Sequence, residues 1–142
     1  MSNSASFDPT KMPESLTHRL VCQPDERAQG VADDGTRLEF MLQTPRGNNY
    51  LCWLTPRFVS NAAILVTVEE IWYFLQGSGR FWMKVNGVEH FFDFVPGTSI
   101  HVPQGASMQY RNDTDEQGLA HVTTLPPWPG KEAARLTQGP WD

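Results

Sequence analysis

Short apolar segments of five to seven residues, separated by turn residues, follow one another from position 38 to position 125. They recur about every 8–12 residues, a spacing typical of sandwiches and closed barrels of antiparallel strands. The clearest boundary is Asn86-Gly87, because two residues of this type between apolar runs are the strongest short signal for a hairpin. The pattern predicts an all-β domain with these nine strands: LEFMLQ (38–43), NYLCWLT (49–55), AILVTV (63–68), EIWYFL (70–75), RFWMKV (80–85), VEHFFDF (88–94), TSIHV (98–102), SMQYRN (107–112) and LAHVTTL (119–125).

A chain of 142 residues, 39% of them hydrophobic, has the length and the apolar content of one domain with one core. We divide it into an N-terminal arm and edge segment (1–35), a barrel (36–126) and a C-terminal tail (127–142). Within the tail, KEAARL (131–136) predicts one or two helical turns. Strands such as IWYFL (71–75) are apolar on both faces. A second subunit is therefore expected to cover the outer face, and we predict a homodimer.

The charge balance is mildly acidic, with 11 Lys and Arg against 16 Asp and Glu, and no basic cluster indicates nucleic-acid binding. No run approaches the ~18 apolar residues of a membrane helix, and residues 1–15 lack the apolar centre of a signal peptide. Cys22 and Cys52 show no CxxC spacing, and two thiols alone do not make a zinc site. We expect a soluble, cytoplasmic protein with reduced thiols that binds neither nucleic acid nor membrane.

Residues 97–112 read GTSIHVPQGASMQYRN, which fits the second cupin motif, G-x5-P-x-G-x2-H-x3-N, at every fixed position except the histidine, here Met108. The second half of the first cupin motif is present as Glu70, six residues and Gly77. Over residues 38–125 the chain thus resembles small single-domain cupins. The resemblance implies a double-stranded β-helix, a jelly-roll-like barrel that is often dimeric and has its pocket inside.

The resemblance also implies where a metal would bind, because three histidines and one carboxylate commonly hold a divalent ion in that family. Counting back from Glu70 puts the two histidines of the first motif at one of two pairs of positions: Ile64 and Val66, or Ala63 and Leu65. Neither pair contains histidine. One carboxylate with the thioether of Met108 is a poor ligand set for Mn, Fe or Ni. We therefore predict that the usual metal site is lost and that the protein uses no cofactor.

Glu70 is the candidate catalytic residue. The resemblance implies that it points into the barrel close to Met108. A carboxylate among apolar side chains with no cation nearby is costly when ionised, so burial should raise its pKa. Such a group is suited to act as a general acid or base. An alternative left open is that Glu70 faces solvent or pairs with an arginine, the candidates being Arg57, Arg80 and Arg111.

Three strand histidines, His90, His101 and His121, lie outside the motif positions. Histidines in strands are more often structural or surface residues than catalytic groups. His101 lies between Ile100 and Val102, so it should face away from the core if those two face inward. A rearranged metal site that combines Glu70 with some of these histidines stays open.

The interior is expected to be apolar, which suits a hydrophobic or aromatic ligand. Ordinary core packing would give the same residues, because small barrels fill their interior with side chains. The sequence does not separate the two. The candidate lining residues are Tyr50, Trp53, Phe58, Ile64, Val66, Trp72, Phe74, Phe81, Met108 and Tyr110.

Three functional hypotheses follow. The first is a metal-independent enzyme of isomerase, cyclase or lyase type, in which Glu70 moves a proton on a small, largely apolar substrate. The second is a cupin that binds a small molecule without turnover. The third is a metal-dependent oxygenase or lyase whose ligands are displaced or engineered away. No P-loop, GxSxG or GxGxxG motif points to another chemistry.

Overall fold

A computed structural model of the protein describes residues 16–142, so the arm predicted over residues 1–15 lies outside the described part. In that part the chain forms strands and two short 3-10 turns, Pro24–Glu26 and Lys131–Ala133. The strands, in chain order, are β1 (Ala28–Val31), β2 (Arg37–Thr44), β3 (Gly47–Leu54), β4 (Ala63–Leu65), β5 (Glu69–Gln76), β6 (Gly79–Val85), β7 (Val88–Phe94), β8 (Ser99–Val102), β9 (Ser107–Asn112), β10 (Gly118–Leu125) and β11 (Ala134–Leu136).

The strands form two antiparallel sheets that enclose the core, which confirms the predicted all-β architecture. The six-stranded sheet has the order β1-β2-β3-β10-β5-β8, and the five-stranded sheet has the order β11-β4-β9-β6-β7. All nine predicted strands are present, and β1 and β11 are added at one edge of each sheet. Sequential neighbours such as β2 and β3 pair directly, whereas β10 returns to lie between β3 and β5.

The helical turns predicted over residues 131–136 are wrong beyond the first three residues. Lys131–Ala133 forms a 3-10 turn, and the next three residues form β11, which pairs with β4 at the edge of the five-stranded sheet. Exposed backbone at a sheet edge offers hydrogen bonds that outweigh the weak helical preference of such a short segment. No helix in residues 16–142 is long and apolar enough to cross a membrane.

The turn between β6 and β7 explains the register of the hairpin. Asn86 and Gly87 both have positive φ, 50° and 79°, as a type I′ turn requires. At the other end of β6, a Cβ on Gly79 would lie 1.9 Å from the carbonyl oxygen of Arg111, so only glycine lets β6 approach β9 this closely. Turn and glycine together hold β6 between its two neighbours.

An aromatic cluster fills the interior between the sheets. Trp72 and Phe74 project inward from β5 of the six-stranded sheet, and Phe81 and Tyr110 meet them from the five-stranded sheet. The ring centroids of Trp72 and Tyr110 are 4.8 Å apart, and those of Trp72 and Phe81 are 5.3 Å apart. Phe74 stacks on Phe94 at 3.8 Å. The period of two along each strand places these rings on one face, and their contacts join the two sheets.

The C-terminal tail packs on the five-stranded sheet. The amide of Thr137 donates to the carbonyl of Ala62, and the amide of Trp141 donates to the side-chain oxygen of Gln109. The ring of Trp141 lies under the guanidinium of Arg111, 4.6 Å from its centroid. The tail therefore covers part of the outer face of this sheet, whereas the outer face of β5 stays exposed.

Candidate functional site

A cavity of about 50 Å³ lies inside the barrel, with walls that are mostly apolar and aromatic. That volume is enough for several water molecules. Both sheets contribute to it, and so do the turn between β1 and β2 and the segment that follows β10. Its walls are formed by Ala32, Asp33, Asp34, Leu38, Phe40, Tyr50, Cys52, Ala63, Leu65, Glu70, Trp72, Met108, Tyr110, Trp128, Lys131, Ala134 and Arg135.

Glu70 is a fully buried carboxyl group in this wall, with 1% of its surface exposed. It lies on the inward face of β5, two positions before Trp72, as the alternation of the strand requires. Its oxygens accept hydrogen bonds from three neutral donors and, among residues 16–142, from no cationic side chain. These donors are the Tyr50 hydroxyl at 2.7 Å, Trp72 Nε1 at 3.1 Å and the Thr124 hydroxyl at 3.2 Å.

Burial raises the pKa of Glu70 from 4.5 to about 7. Removal of a carboxylate from water disfavours its charged form, and the three hydrogen-bond donors offset only part of that effect. A carboxyl group with this pKa exchanges its proton readily near neutral pH. This is the property expected of a general acid or base.

The three arginines considered as partners for Glu70 bind elsewhere. Each forms an ion pair with an aspartate at or near the surface: Arg57 with Asp115 at 2.8 Å, Arg80 with Asp93 at 3.0 Å and Arg111 with Asp113 at 2.8 Å. In the described residues, Glu70 forms no ion pair. Its charge is therefore balanced only by neutral dipoles.

Asp34 is a second buried carboxyl group in the cavity wall, and the sequence analysis missed it. It is 8% exposed and lies in the turn between β1 and β2. Its Oδ1 accepts the backbone N–H of Thr36 at 3.0 Å, and its Oδ2 accepts the hydroxyl of Tyr110. The Tyr110 hydroxyl also bonds the hydroxyl of Thr36. Burial raises the pKa of Asp34 above its usual value. The only sequence signal was Asp34-Gly35, which is typical of an exposed turn.

The structure distinguishes the two possible pairs of motif positions. Ala63 and Leu65 line the cavity with Glu70 and Met108, and Ala63 pairs directly with Met108 across β4 and β9. Ile64 and Val66 are half-buried and do not line the cavity. The strand β4 therefore turns residues 63 and 65 towards the cavity, the pair that corresponds to the longer spacing before Glu70. We call this choice of inward residues the phase of β4.

Residues at these four positions do not fit a divalent metal. Two alkyl side chains, one thioether and one carboxylate supply a single hard ligand, whereas such ions need three or more nitrogen or oxygen ligands from the protein. Within residues 16–142, no group of three or more His, Cys, Asp and Glu side chains is arranged to hold a metal.

The three strand histidines do not line the cavity. His101 and His121 lie on the outward side of their strands, opposite to Glu70, and His90 is exposed on the edge strand β7. Burial lowers the pKa of His121. Each has a neighbour of its own: His90 stacks with Phe92, His101 bonds Glu69 at 2.7 Å and His121 bonds Asn49 at 3.2 Å. The structure therefore does not bring Glu70 and these histidines together.

Four of the predicted lining residues share the cavity with Glu70: Tyr50, Trp72, Met108 and Tyr110. They lie on three strands, β3, β5 and β9, which come from both sheets, and alternation directs all four side chains inward. Two of them bond the carboxyl groups directly, since Tyr50 donates to Glu70 and Tyr110 donates to Asp34.

The other predicted lining residues lie outside the cavity. Trp53 faces outward, and its Nε1 donates to Glu39 at 2.8 Å. Phe58 is half-buried beside the core. Phe81, like Phe74, is fully buried in the aromatic cluster, and its ring packs against Trp72 and Tyr110 of the site. Ordinary packing therefore explains these positions, together with Ile64 and Val66.

Beyond β10, the chain supplies one wall of the cavity. Trp128 is anchored there, because its backbone N–H donates to the side-chain oxygen of Asn48 at 2.7 Å. Lys131 and Arg135 follow it along the same wall and are exposed. The indole Nε1 of Trp128 is buried and has no hydrogen-bond partner among the described residues.

No protein-family model matches the chain, and no curated protein matches it either. Solved structures do. The capsular polysaccharide assembling protein CapF of Staphylococcus aureus is 13% identical with a TM-score of 0.64, over 80% of this chain and 34% of CapF. The cupin domain of Drosophila melanogaster CENP-C is 13% identical with a TM-score of 0.64, over 72% of this chain and 77% of that domain.

A third match is an uncharacterised conserved protein of Klebsiella pneumoniae with a double-stranded β-helix domain. It is 13% identical with a TM-score of 0.61, over 76% of this chain and 89% of that one. The chain spans about a third of the length of CapF but most of the other two. These likenesses show the fold, which is the cupin double-stranded β-helix in a divergent sequence.

Proposed function

We propose that this cupin-fold protein binds a small, largely apolar molecule in the barrel cavity and that Glu70 moves a proton on that molecule without help from a metal. The observation that carries the proposal is a fully buried carboxyl group in an apolar cavity wall, bonded only to neutral donors. Isomerisation, cyclisation and elimination all need placement of the substrate and one proton shuttle, so they are the reaction types that this site fits.

The surroundings of Glu70 support a general base. Its pKa of about 7 leaves a large fraction as carboxylate at neutral pH. In an apolar cavity that carboxylate is poorly solvated, so it gains more from taking up a proton than the same group in water does. Hydrogen bonds from Tyr50 and Trp72 hold the carboxylate in one orientation. A general base placed in this way contributes about 10²–10⁴-fold to a rate.

The test is proton exchange at carbon. Small ketones such as acetone and 2-butanone are incubated with the protein in D₂O, and NMR follows the loss of the α-proton signals. We expect catalysed exchange with at least one ketone and a fall of at least about 100-fold in the Glu70→Gln variant. Glu39→Gln is the matched control, because Glu39 is also a buried carboxylate but bonds Trp53 outside the cavity. Equal exchange by wild type and Glu70→Gln would contradict the proposal.

The second candidate is binding without turnover. It is favoured by the three hydrogen bonds of Glu70, because a carboxyl group that is fully engaged also serves as a structural polar anchor. The same NMR samples separate the two functions. A ketone that shifts the resonances of cavity residues but never exchanges its α-protons indicates a binding protein.

We also propose that the protein is a homodimer. Three apolar side chains on the outer face of β5, Ile71, Tyr73 and Leu75, are each 44–46% exposed. Exposed apolar side chains in a row on one strand are typical of a contact surface. Light scattering on a sizing column is expected to give twice the chain mass of 16.0 kDa. Tyr73→Lys should halve that mass, and Val88→Lys on β7 should not. A wild-type mass equal to that of one chain would contradict the dimer.

A further inference from the structure

Asp34 faces the same cavity as Glu70 but comes from a separate element. Glu70 projects from the middle of the six-stranded sheet, and Asp34 comes from the turn that enters β2. The turn is held by bonds from Asp34 to Thr36 and to Tyr110 of the opposite sheet. Asp34 is therefore a positioned group, buried in the interior, and its role is not explained by an ion pair with any described residue.

The charge of Asp34 acts on Glu70. The negative charge of Asp34 adds to the effect of burial in raising the pKa of Glu70. Burial likewise raises the pKa of Asp34, although its two hydrogen-bond donors lower it again in part. Two carboxyl groups that repel each other when both are ionised tend to hold one proton between them over a range of pH. In that state either carboxyl group can hold the proton, and the proton transfer uses the form in which Asp34 is protonated and Glu70 is ionised.

A buried donor without a partner indicates what else the ligand carries. Trp128 lines the cavity, and its Nε1 has no hydrogen-bond partner in residues 16–142. Buried N–H groups are nearly always bonded, so an acceptor on a ligand beside Trp128 would satisfy this one. A carbonyl oxygen is such an acceptor. The apolar walls leave little room for further polar groups on the molecule.

Building on the proposed function, we propose that Asp34 is the second proton-transfer group of the cavity, and that the substrate is a small apolar carbonyl compound with a hydrogen on the adjacent carbon. The carbonyl oxygen faces Asp34 and the indole N–H of Trp128. The adjacent carbon faces Glu70. This arrangement assigns a role to Glu70, to Asp34 and to the indole N–H of Trp128.

The step is balanced without any co-reactant. The C–H bond next to the carbonyl breaks, and its proton goes to the carboxylate of Glu70. The electron pair forms the C=C bond of the enol, and the carbonyl oxygen takes the proton of the Asp34 carboxyl group. Asp34 is then a carboxylate and Glu70 is protonated. Return of the Glu70 proton to carbon and of the enol proton to Asp34 restores both groups, with no oxidation or reduction.

Other titratable groups around the pair do not change charge near neutral pH. Burial raises the pKa values of Tyr50, Cys52 and Tyr110, so these three stay neutral. The remaining charged residues of the cavity wall are exposed: Asp33, Lys131 and Arg135. The pH dependence of exchange should therefore report the two carboxyl groups.

The deciding experiment is the pH profile of ketone exchange between pH 5 and 9. The active state holds one proton between the two carboxyl groups, so the exchange rate of the wild type should first rise and then fall with increasing pH. Each limb of this profile reports one carboxyl group. Asp34→Asn should lower the exchange rate about 100-fold and remove one limb. Asp25→Asn is the control, since Asp25 is an exposed aspartate that does not line the cavity, and it should keep the full profile.

Tyr110→Phe is a second test for the case that Asp34→Asn does not fold, because it leaves the Asp34 carboxyl group in place. Loss of the Tyr110 hydroxyl removes a bond that favours the ionised form of Asp34, so the falling limb should move to higher pH. A purely structural role of Asp34 would lower the rate without moving a limb. A full, unshifted profile in both Asp34→Asn and Tyr110→Phe would overturn the inference but leave Glu70 as the base.

Carbon-13 NMR titration of the carboxyl groups tests the pair in the protein without a ligand. The signals of Asp34 and Glu70 should each show two steps, and Asp34→Asn should reduce the Glu70 titration to one step at lower pH. Independent single-step titrations would overturn the pair even if exchange were observed. Absence of exchange together with coupled titration would instead reject the proposed proton transfer.

Discussion

The two ends of the barrel interior differ in how they are filled, although β5 runs through both. At one end Phe74 stacks on Phe94 and packs edge-on against Phe81, and all three rings are fully buried. At the other end Glu70 faces a cavity opposite the short side chain of Ala63. Both ends use the same inward alternation of one strand. The difference shows that side-chain size, with the backbone plan unchanged, decides where this barrel is solid and where it is hollow.

Trp72 lies at the boundary between these two regions. Its ring contacts Phe74 and Phe81 of the packed end, while its Nε1 donates to Glu70 in the cavity. The packed end therefore holds the ring in place, and the ring holds the carboxyl group. A site built on a rigid cluster in this way keeps its geometry better than one built on loops.

The largest expected effect is a difference in stability between variants at the two ends of the barrel interior. Phe74→Ala in the packed end should lower the free energy of unfolding by about 3–5 kcal/mol, because the lost ring leaves a void among fixed neighbours. Phe40→Ala, the same change in the cavity wall, should lower it by about 1–2 kcal/mol less, since one side of Phe40 already faces empty space. Urea denaturation measures both. A Phe40→Ala effect as large as that of Phe74→Ala would remove the contrast.

The next effect concerns the charge that the cavity end carries. Glu70 ionises near pH 4.5 in the unfolded chain and near pH 7 when folded, so the folded protein keeps a proton that the unfolded chain releases. The free energy of unfolding should therefore fall as pH rises through this window, by about 3 kcal/mol for this group, and level off above it. Urea titrations from pH 4 to 8 measure the slope.

Glu70→Gln should flatten most of that slope, because glutamine does not titrate. Glu39→Gln should keep it, since Glu39 lies outside the cavity. Parallel stability curves for the wild type and Glu70→Gln would show that the buried carboxyl group does not titrate in the expected range.

The smallest expected effect is a gain in stability on binding Ni²⁺, and it depends on which residues of β4 face the cavity. A variant with Ala63→His, Leu65→His and Met108→His would surround the cavity with three imidazoles and Glu70, a set suited to a divalent metal. Ni²⁺ at about 100 times its dissociation constant should then stabilise the folded protein by about 2.7 kcal/mol. Thermal unfolding with and without Ni²⁺ measures the gain, and elemental analysis gives the stoichiometry.

A variant with histidines at Ile64 and Val66, together with Met108→His, provides the matched control. The side chains at 64 and 66 do not line the cavity, so Ni²⁺ should leave its stability nearly unchanged. Equal stabilisation of the two variants would mean that β4 has the other phase.

Much of the fold could be predicted because its signals are local. The positions of nine strands and the Asn86-Gly87 hairpin follow from turn residues and from a period of two. The inward orientation of Glu70 was expected from the resemblance to cupins. Its lack of an arginine partner was not predictable, since that depends on which aspartates lie near the arginines in space.

The missed features depend on how distant segments meet. Asp34 reads as part of an exposed turn, and only Tyr110 of the opposite sheet shows that the turn is covered. The sequence of β11 predicts a helix, and the segment forms a strand because it pairs with the edge of β4. The phase of β4 was ambiguous because the loop before it has no glycine or hairpin signal to fix its length.

The sequence by itself determined the class of fold and the strand boundaries, because alternation and turn chemistry act over a few neighbouring residues. Its resemblance to cupins indicated that Glu70 points inward. Only the tertiary structure decided that Glu70 shares a cavity with Asp34, that Trp128 closes one wall of it, and that Ala63 and Leu65 face it. Burial and the pKa values that follow from it depend on segments far apart in the chain. Local pattern therefore predicted the barrel, and long-range packing created the site.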